Sequence, residues 1–418
     1  MTSRVLLGFG GNVDVEIVWN EQVLARLASE YEIRQEELDT SVRVVDERSL
    51  VVSILAFLAS DQGGERYVAD ARVLTDFPEN FEHRWTLGGS GIRAAMVLDR
   101  FDLSSQVHLV STNPTVRRLL PATVTSINEV TEDSVHPHLI VQYPAGCTIS
   151  TGLLTVGSGR HNRLIYVNDP PNERLELTPE LESHGVDLDL VLVSGLNSMQ
   201  DPQLLEDRIQ RIEGLLEAMP EHGLVIFEDA GQHVPELGAR VQQVMAQRAD
   251  IFSMNEDELA LHCGQAVDIL DADAVAAALR HVREHLGIAN LLVHTQYWAA
   301  VHGPSAVHLR EALRFGTLAG AVRYMYGDGA TRADYSSVAA HCLHPHGKAL
   351  VEDLQKRFDS ALAGVPAYDL NPPEPTTIGL GDTFLGGFIA ELASRDTESL
   401  FWRWGARGEV SALKESCL

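Results

Sequence analysis

The chain has 418 residues, 45% of them hydrophobic and 22% charged, with a formal net charge of -27. That length can bury a large core and fits one big domain plus a smaller one. The acidic balance excludes nucleic acid and anionic membranes as expected partners, so an anionic substrate must be drawn in by local arginines.

Lys348, Lys356 and Lys414 are the only lysines, and none occurs before position 348. Cys147, Cys263, Cys342 and Cys417 are scattered, without a CxxC pair or metal-ligand spacing. With no signal-peptide pattern and no apolar run of bilayer length, the expectation is a reducing cytoplasm.

Val5 to Phe9 reads as a short buried strand running into Gly10-Gly11-Asn12-Val13-Asp14. On an extended segment Asn12 and Asp14 point the same way. They suit clamping neighbouring sugar hydroxyls, or a turn closed by an Asx hydrogen bond. Val23, Leu24, Leu27 and Tyr31 lie at helical spacing, and a second helix is expected near Leu50 to Leu58. Asp61 to Arg66 reads as a polar loop and Phe81 to Leu87 as a strand. Gly88-Gly89-Ser90-Gly91 then opens a helix, as either a ligand turn or a close-packing device.

Val107 to Ser111 reads as a strand, and residues 122–172 as β-rich, with strands at Leu139–Tyr143, Thr148–Val156 and Arg163–Val167. This segment is expected to form a lid sheet with Asn12–Ile17 and parts of 60–87. Strands follow at Leu188–Ser194 and at Gly223–Phe227, the latter delivering Glu228 and Asp229. Asn255 and Glu258 share a face at a strand-helix junction, which suits Mg²⁺ held partly through water or an acid-rich helix start. Asn290–His294 and Ala299–His302 are further strands, and residues 311–365 read as mainly helical. His341, Cys342, His344 and His346 form a His-rich loop that is read as a loop before it is read as a metal cluster.

The proline-rich connector 366–375 leads into Gly379-Leu380-Gly381-Asp382-Thr383. Two glycines opening a helix let the backbone approach a ligand, and the exposed N–H groups there suit a phosphate. Asp382 among those donors is either a helix cap or a group that binds metal or takes a proton. A sugar hydroxyl placed between Asp382 and an incoming phosphoryl group makes the turn a kinase site.

Alternation of strands and helices from about 188 onward argues for a mostly parallel three-layer α/β/α sandwich with a smaller β-rich lid. With Gly10 to Asp14, Gly88 to Gly91, Arg160 to Ile165 with Asp169 and Asn172, Ser194-Gly195, Asn255 to Glu258, His294-Thr295 and Gly379 to Thr383, the chain resembles the ADP-dependent glucokinase/phosphofructokinase family of ribokinase-like sugar kinases. The resemblance runs over nearly the whole chain. Two departures stand out: Ile226 where the family has the His of a His-x-Glu pair ending at Glu228, and Ser90 where it has Gln.

The resemblance implies phosphoryl transfer from ADP to a sugar hydroxyl with Mg²⁺ or another divalent cation. Asp382 is then the general base, with Gly379 and Gly381 forming the anion hole. Asn12, Asp14, Glu65, Gly88 and Gly89 hold the sugar; Arg163, Asn255, His294 and Gly381 meet the nucleotide; Glu228 and Glu258 serve the metal. Residues 1–9, 88–137 and 173–418 form the large nucleotide-binding domain, and 10–87 with 138–172 the lid. Glu65 stands 23 residues before Gly88, where family glucokinases carry a sugar-binding Glu. With no lysine before 348, glucose is favoured over fructose 6-phosphate, although Arg66, Arg160 and Arg163 remain for phosphate work. The alternatives are an ADP-dependent phosphofructokinase, an ATP-using ribokinase-like kinase of a carbohydrate or nucleoside, and an idle nucleotide sensor. The expected partners are small molecules, and the expected assembly is a monomer or small homo-oligomer.

Overall fold

Leu6, Val191, Val193, Val225, Phe227, Phe252, Leu291 and Val293 are buried on one side of the strands that carry them. Val5, Leu7, Leu190, Leu192, Leu224, Ile226, Ile251 and Leu292 are buried on the other. Strands apolar on both faces belong inside a parallel sheet covered by helices on both sides. The computed structural model, which describes residues 4–110, 112–127, 136–232 and 234–394, has that sheet. Its strand order is Leu362–Pro366, Trp298–His302, Asn290–His294, Ile251–Asn255, Leu224–Glu228, Leu190–Val193, Val5–Leu7, Ser105–Val107 and Val124–Ser126. All neighbours are parallel except at the Leu362 edge, where Trp298–His302 runs antiparallel to both neighbours. The fold is thus a three-layer α/β/α sandwich around a mostly parallel sheet.

Helices Pro202–Ala218, Pro235–Arg248, Ala272–Leu286 and Pro345–Phe358 cover the first face through Ile209, Met245, Leu279 and Leu354. Ser90–Arg100, Ala306–Tyr326 and Leu380–Ala393 cover the second through Leu98, Leu313 and Phe388. Helix Leu380–Ala393 is buried almost all round, which fits its hydrophobic sequence and its place between the other two.

A second sheet has the order Gly64–Tyr67, Asn162–Val167, His138–Tyr143, Asn12–Ile17 and His83–Gly88. Val15, Ile17, Leu139, Val141, Leu164 and Tyr166 pack one face onto helices Glu21–Glu30 and Glu47–Ser60. Period-two alternation assigns Asn12, Asp14, Glu16, His138, Gln142, Arg163 and Glu65 to the opposite face.

Three expectations need correction. Asp61 to Arg66 is not all loop: Gly64–Tyr67 is an edge strand, parallel to Asn162–Val167 and masked in sequence by its glycines and charges. Thr148–Val156 is two short strands, Thr148–Ser150 and Thr155–Gly157, because Thr151 closes a turn by accepting from Leu153 and Leu154. Leu362–Pro366 is a strand, not helix, completing the large sheet. The strand expected at Val107 to Ser111 is assigned at Ser105–Val107, and Ser111 and Cys417 lie outside the described residues. Among the described residues no helix is long and apolar enough to cross a membrane.

Candidate active site

Helix Leu380–Ala393 begins at Gly379, whose φ of +63° is left-handed, a conformation that costs glycine nothing. The residue could not be larger in any case. A Cβ there would lie 2.4 Å from Cδ of Arg93. The first helical bond runs from Thr383 N to Gly379 O at 3.1 Å, so the N–H groups of Leu380, Gly381 and Asp382 precede the ladder. Asp382 is in the first turn, yet Gly379 has no side-chain cap bond. The Asp382 carboxylate instead accepts from the Ser90 hydroxyl at 2.6 Å. The simple helix-cap reading of Asp382 therefore fails.

The second glycine turn meets the Asn12–Asp14 segment across the small sheet. Gly88 pairs in register with Asn12, and a Cβ on Gly88 would come within 2.4 Å of Asn12 Nδ2 and 2.6 Å of Asp14 Oδ2. Asn12 and Asp14 do share a face: Asn12 Nδ2 donates to Asp14 Oδ1 at 2.5 Å. Asp14 is 2% exposed, and Arg93, also 2% exposed, donates to its other oxygen at 2.7 Å.

Sequence reasoning missed Arg93. It stands on helix Ser90–Arg100 between Ile92 and Ala94, and an arginine inside an apolar helical stripe was the available signal. Its guanidinium also lies 3.6 Å from Asp328, which takes a 2.6 Å ion pair from Arg323. Arg323 Nε donates in turn to Ile378 O at 2.7 Å, next to Gly379. A buried chain of alternating charge thus runs from Asp14 to the turn that opens at Gly379. Burial pushes the Asp14 carboxyl up and Arg93 pulls it part of the way back. Burial also opposes the Arg93 charge, but Asp14, Asp328 and Asp382 outweigh it.

On the other side of the Gly379 turn, His294 ends a central strand. Its ring stacks on Phe384 at 5.0 Å, and a Cβ on Gly381 would fall 2.9 Å from its Cε1. His294 Nε2 donates to Glu228 Oε1 at 3.1 Å, the assignment required by a carboxylate acceptor. Burial works against its positive charge, but Glu228, Glu258 and Glu256 overcome it and raise the pKa. Ile226 is wholly buried in the sheet, and the imidazole bonded to Glu228 is that of His294.

Asn255 and Glu258 form a capping box: Asn255 Oδ1 accepts from the N–H groups of Asp257 and Glu258, and Glu258 accepts from Asn255 N at 2.8 Å. The acid-rich helix start is therefore real, and it coexists with an unusual carboxylate environment. Burial, reinforced by Glu228, pushes Glu258 up to about 7. Glu228 Oε2 is buried with no hydrogen-bond partner among the described residues. An orphaned carboxylate oxygen beside a second carboxylate fits a divalent cation. No group of three metal-capable side chains occurs among the described residues, but Mg²⁺ needs only one or two carboxylates besides substrate phosphates. His344 of the His-rich loop caps helix Pro345–Phe358 by accepting from Gly347 N at 3.2 Å.

The small sheet faces this region with Gln142 and Arg163, which are directly opposite each other in register. Gln142 Oε1 accepts from both Thr377 N (3.0 Å) and Thr377 Oγ1 (3.1 Å), tying the sheet to the approach to Gly379. Arg163 shares that face and is exposed. Arg66 donates to Val42 O and Arg160 pairs with Asp61, so both are engaged elsewhere.

Beside Asn12, a cleft of about 710 Å³ is lined by Glu65, Tyr67, His138, Asp169, Asn172 and Glu173, among others. The Asp382 turn is not one of its walls. Asn172 bonds both the N–H and the C=O of Gly11, which joins the cleft to the Asn12 segment. His138 Nε2 donates to Asp169 at 2.9 Å. Burial opposes charge on His138, but the Asp169 bond and the charges of Asp169, Asp14 and Glu65 prevail and raise its pKa. No Arg or Lys lines the cleft among the described residues.

The family model for the ADP-specific phosphofructokinase/glucokinase conserved region matches residues 3–340. An ADP-dependent glucose/glucosamine kinase of Pyrococcus abyssi (strain GE5 / Orsay) is 24% identical over 441 residues, spanning 93% of this chain and 94% of that protein. A phosphofructokinase from Pyrococcus horikoshii OT3, solved with AMP, superposes with a TM-score of 0.74 at 16% identity, over 94% of this chain and 98% of the other. An adenosine kinase of Trypanosoma brucei brucei shares the fold more distantly, with a TM-score of 0.53 at 12% identity over 98% and 99% of the two chains.

Proposed function

The chain belongs to the ADP-specific phosphofructokinase/glucokinase family and is an ADP-dependent sugar kinase, and from that premise we propose that its acceptor is an unphosphorylated hexose, glucose first, with Asp382 as general base. The observation that carries this reading is the Asp382 carboxylate, left uncommitted by its own helix and held by Ser90 amid the first-turn N–H groups. Asp382 takes the proton of the sugar hydroxyl as its oxygen bonds to the β-phosphorus of ADP. The bond from that phosphorus to the bridging oxygen breaks, and AMP leaves. The N–H groups of Leu380 to Asp382 hold the charge that develops on the transferring group.

Asn12, Asp14, Glu65, Gly88 and Gly89 would bind the sugar. Arg163, Asn255, His294 and Gly381 would meet the nucleotide, with Arg163 suited to phosphate by its fork of donors. Glu228 and Glu258 would hold Mg²⁺, which when bound neutralises charge on the phosphate oxygens. Residues 10–87 and 138–172 serve as a lid over residues 1–9, 88–137 and 173–418, closing to exclude water. The same reading places the enzyme in the cytoplasm as a monomer or small homo-oligomer.

The preference for glucose is supported by the acidic cleft. Glu65, Asp169 and Glu173 disfavour a sugar phosphate, and Arg66 and Arg160 are committed elsewhere. Arg163 on the site face is what favours the second reading, an ADP-dependent phosphofructokinase. Asp382→Ala tests the mechanism: turnover falls about 10²- to 10⁴-fold, while glucose binding measured by calorimetry persists. Substantial turnover in that variant refutes the base assignment.

A further inference from the structure

Ser90 opens its helix with its hydroxyl on the Asp382 carboxylate. The bond is 2.6 Å long and joins residues 292 apart in sequence. That is the length of a charge-assisted O–H to carboxylate bond. We propose that Ser90 is a positioning residue for the base: it fixes one oxygen of Asp382 and reserves the other for the proton of the sugar hydroxyl. This rests on the assignment of Asp382 as base.

Two features make the placement rigid. Ser90 is the first residue of its helix, held in register by Gly89 at φ +92° against Gly11. The helices Ser90–Arg100 and Leu380–Ala393 pack so closely that a Cβ on Gly386 would lie 2.8 Å from Cα of Ala94. Their first turns therefore cannot slide apart without opening this contact. Arg93, one turn on, lies against Gly379 and strengthens the same junction. Oδ1 of Asp382 is the acceptor for Ser90, and Oδ2 has no hydrogen-bond partner among the described residues. The carboxylate is thus oriented before substrate arrives, and only one of its oxygens remains to receive the proton. Pre-set orientation of a reacting group is worth as much as ~10²-fold per ångström of misplacement.

The test compares wild type, Ser90→Ala, Ser90→Thr, Asp382→Asn and the double variant Ser90→Ala/Asp382→Asn, using steady-state and single-turnover kinetics with ADP and glucose. Ser90→Ala is expected to lower kcat about 10- to 100-fold, with both KM values within about twofold of wild type. Ser90→Thr keeps the hydroxyl and recovers most of the rate. In the Asp382→Asn background, Ser90→Ala adds no further loss, as groups acting as one unit require. A Ser90→Ala rate within about twofold of wild type, beside an inactive Asp382→Asn, overturns the proposal alone. So does a Ser90→Ala loss carried undiminished into the double variant. High turnover in Asp382→Asn overturns the base assignment and this proposal together.

Discussion

Replacing Arg93 with Met removes the charge between Asp14 and Asp328 while keeping much of the volume packed on Gly379. Both members of the Arg93–Asp14 pair are almost fully buried, so screening by solvent is small and the loss falls in the range for a broken buried pair, about 3–5 kcal/mol. The sign with pH is specific. Asp14 is already lifted by burial, and without Arg93 its folded-state value rises further above the unfolded value of about 3.9. The folded variant then holds a proton that the unfolded chain releases. The penalty is therefore small near pH 4 and grows as pH rises toward the folded-state value. Urea unfolding of wild type and Arg93→Met between pH 5 and 8 reads this directly. Adding Asp14→Asn to the variant should restore more than half of the loss at pH 8, because the buried charge is gone. A penalty under about 1 kcal/mol at pH 8, or one independent of pH, refutes the reasoning.

Three further outcomes follow from the site. Gly379→Ala puts a Cβ 2.4 Å from Arg93 Cδ and forces a left-handed φ on alanine, so turnover should collapse with glucose affinity kept, as kinetics and calorimetry on the folded variant will read. Glu65→Gln removes a charged acceptor from the cleft and should raise KM for glucose about 10- to 100-fold with little change in kcat, from ~1.5–3 kcal/mol for a charged hydrogen bond. The raised pKa of His138 gives stability that is full below its unfolded value of about 6.5 and lost as pH rises through the folded value. The lowered pKa of Asp169 gives stability present above about 3.9 and lost on acidification through its own. His138→Gln should therefore cost most in thermal stability between about pH 4 and 6.5 and progressively less above.

Much of this was legible in the sequence because the signals were local. Runs such as Leu190–Val193 and Leu224–Glu228 are apolar on both faces, and the glycine turns at 88–91 and 379–381 mark their helix starts without help from the rest of the chain. Alternation at Asn12 and Asp14 predicts their shared face. What stayed hidden depends on contacts between distant segments. Arg93 with Asp14 and Asp328, Ser90 with Asp382, and Gln142 with Thr377 join segments that the chain brings together only on folding. Gly64–Tyr67 and Leu362–Pro366 are strands because a neighbour offers an edge, not because their own residues demand it. The bond between His294 and Glu228, 66 residues apart, likewise exists only in the fold.

The most direct test of the account is a product assay on purified enzyme with Mg²⁺, crossing ADP and ATP with glucose and fructose 6-phosphate. AMP and glucose 6-phosphate forming from ADP and glucose, well ahead of the other three pairs, is the predicted result. Preferential turnover of fructose 6-phosphate with ADP would contradict the reading of the acidic cleft and move Arg163 to the sugar phosphate.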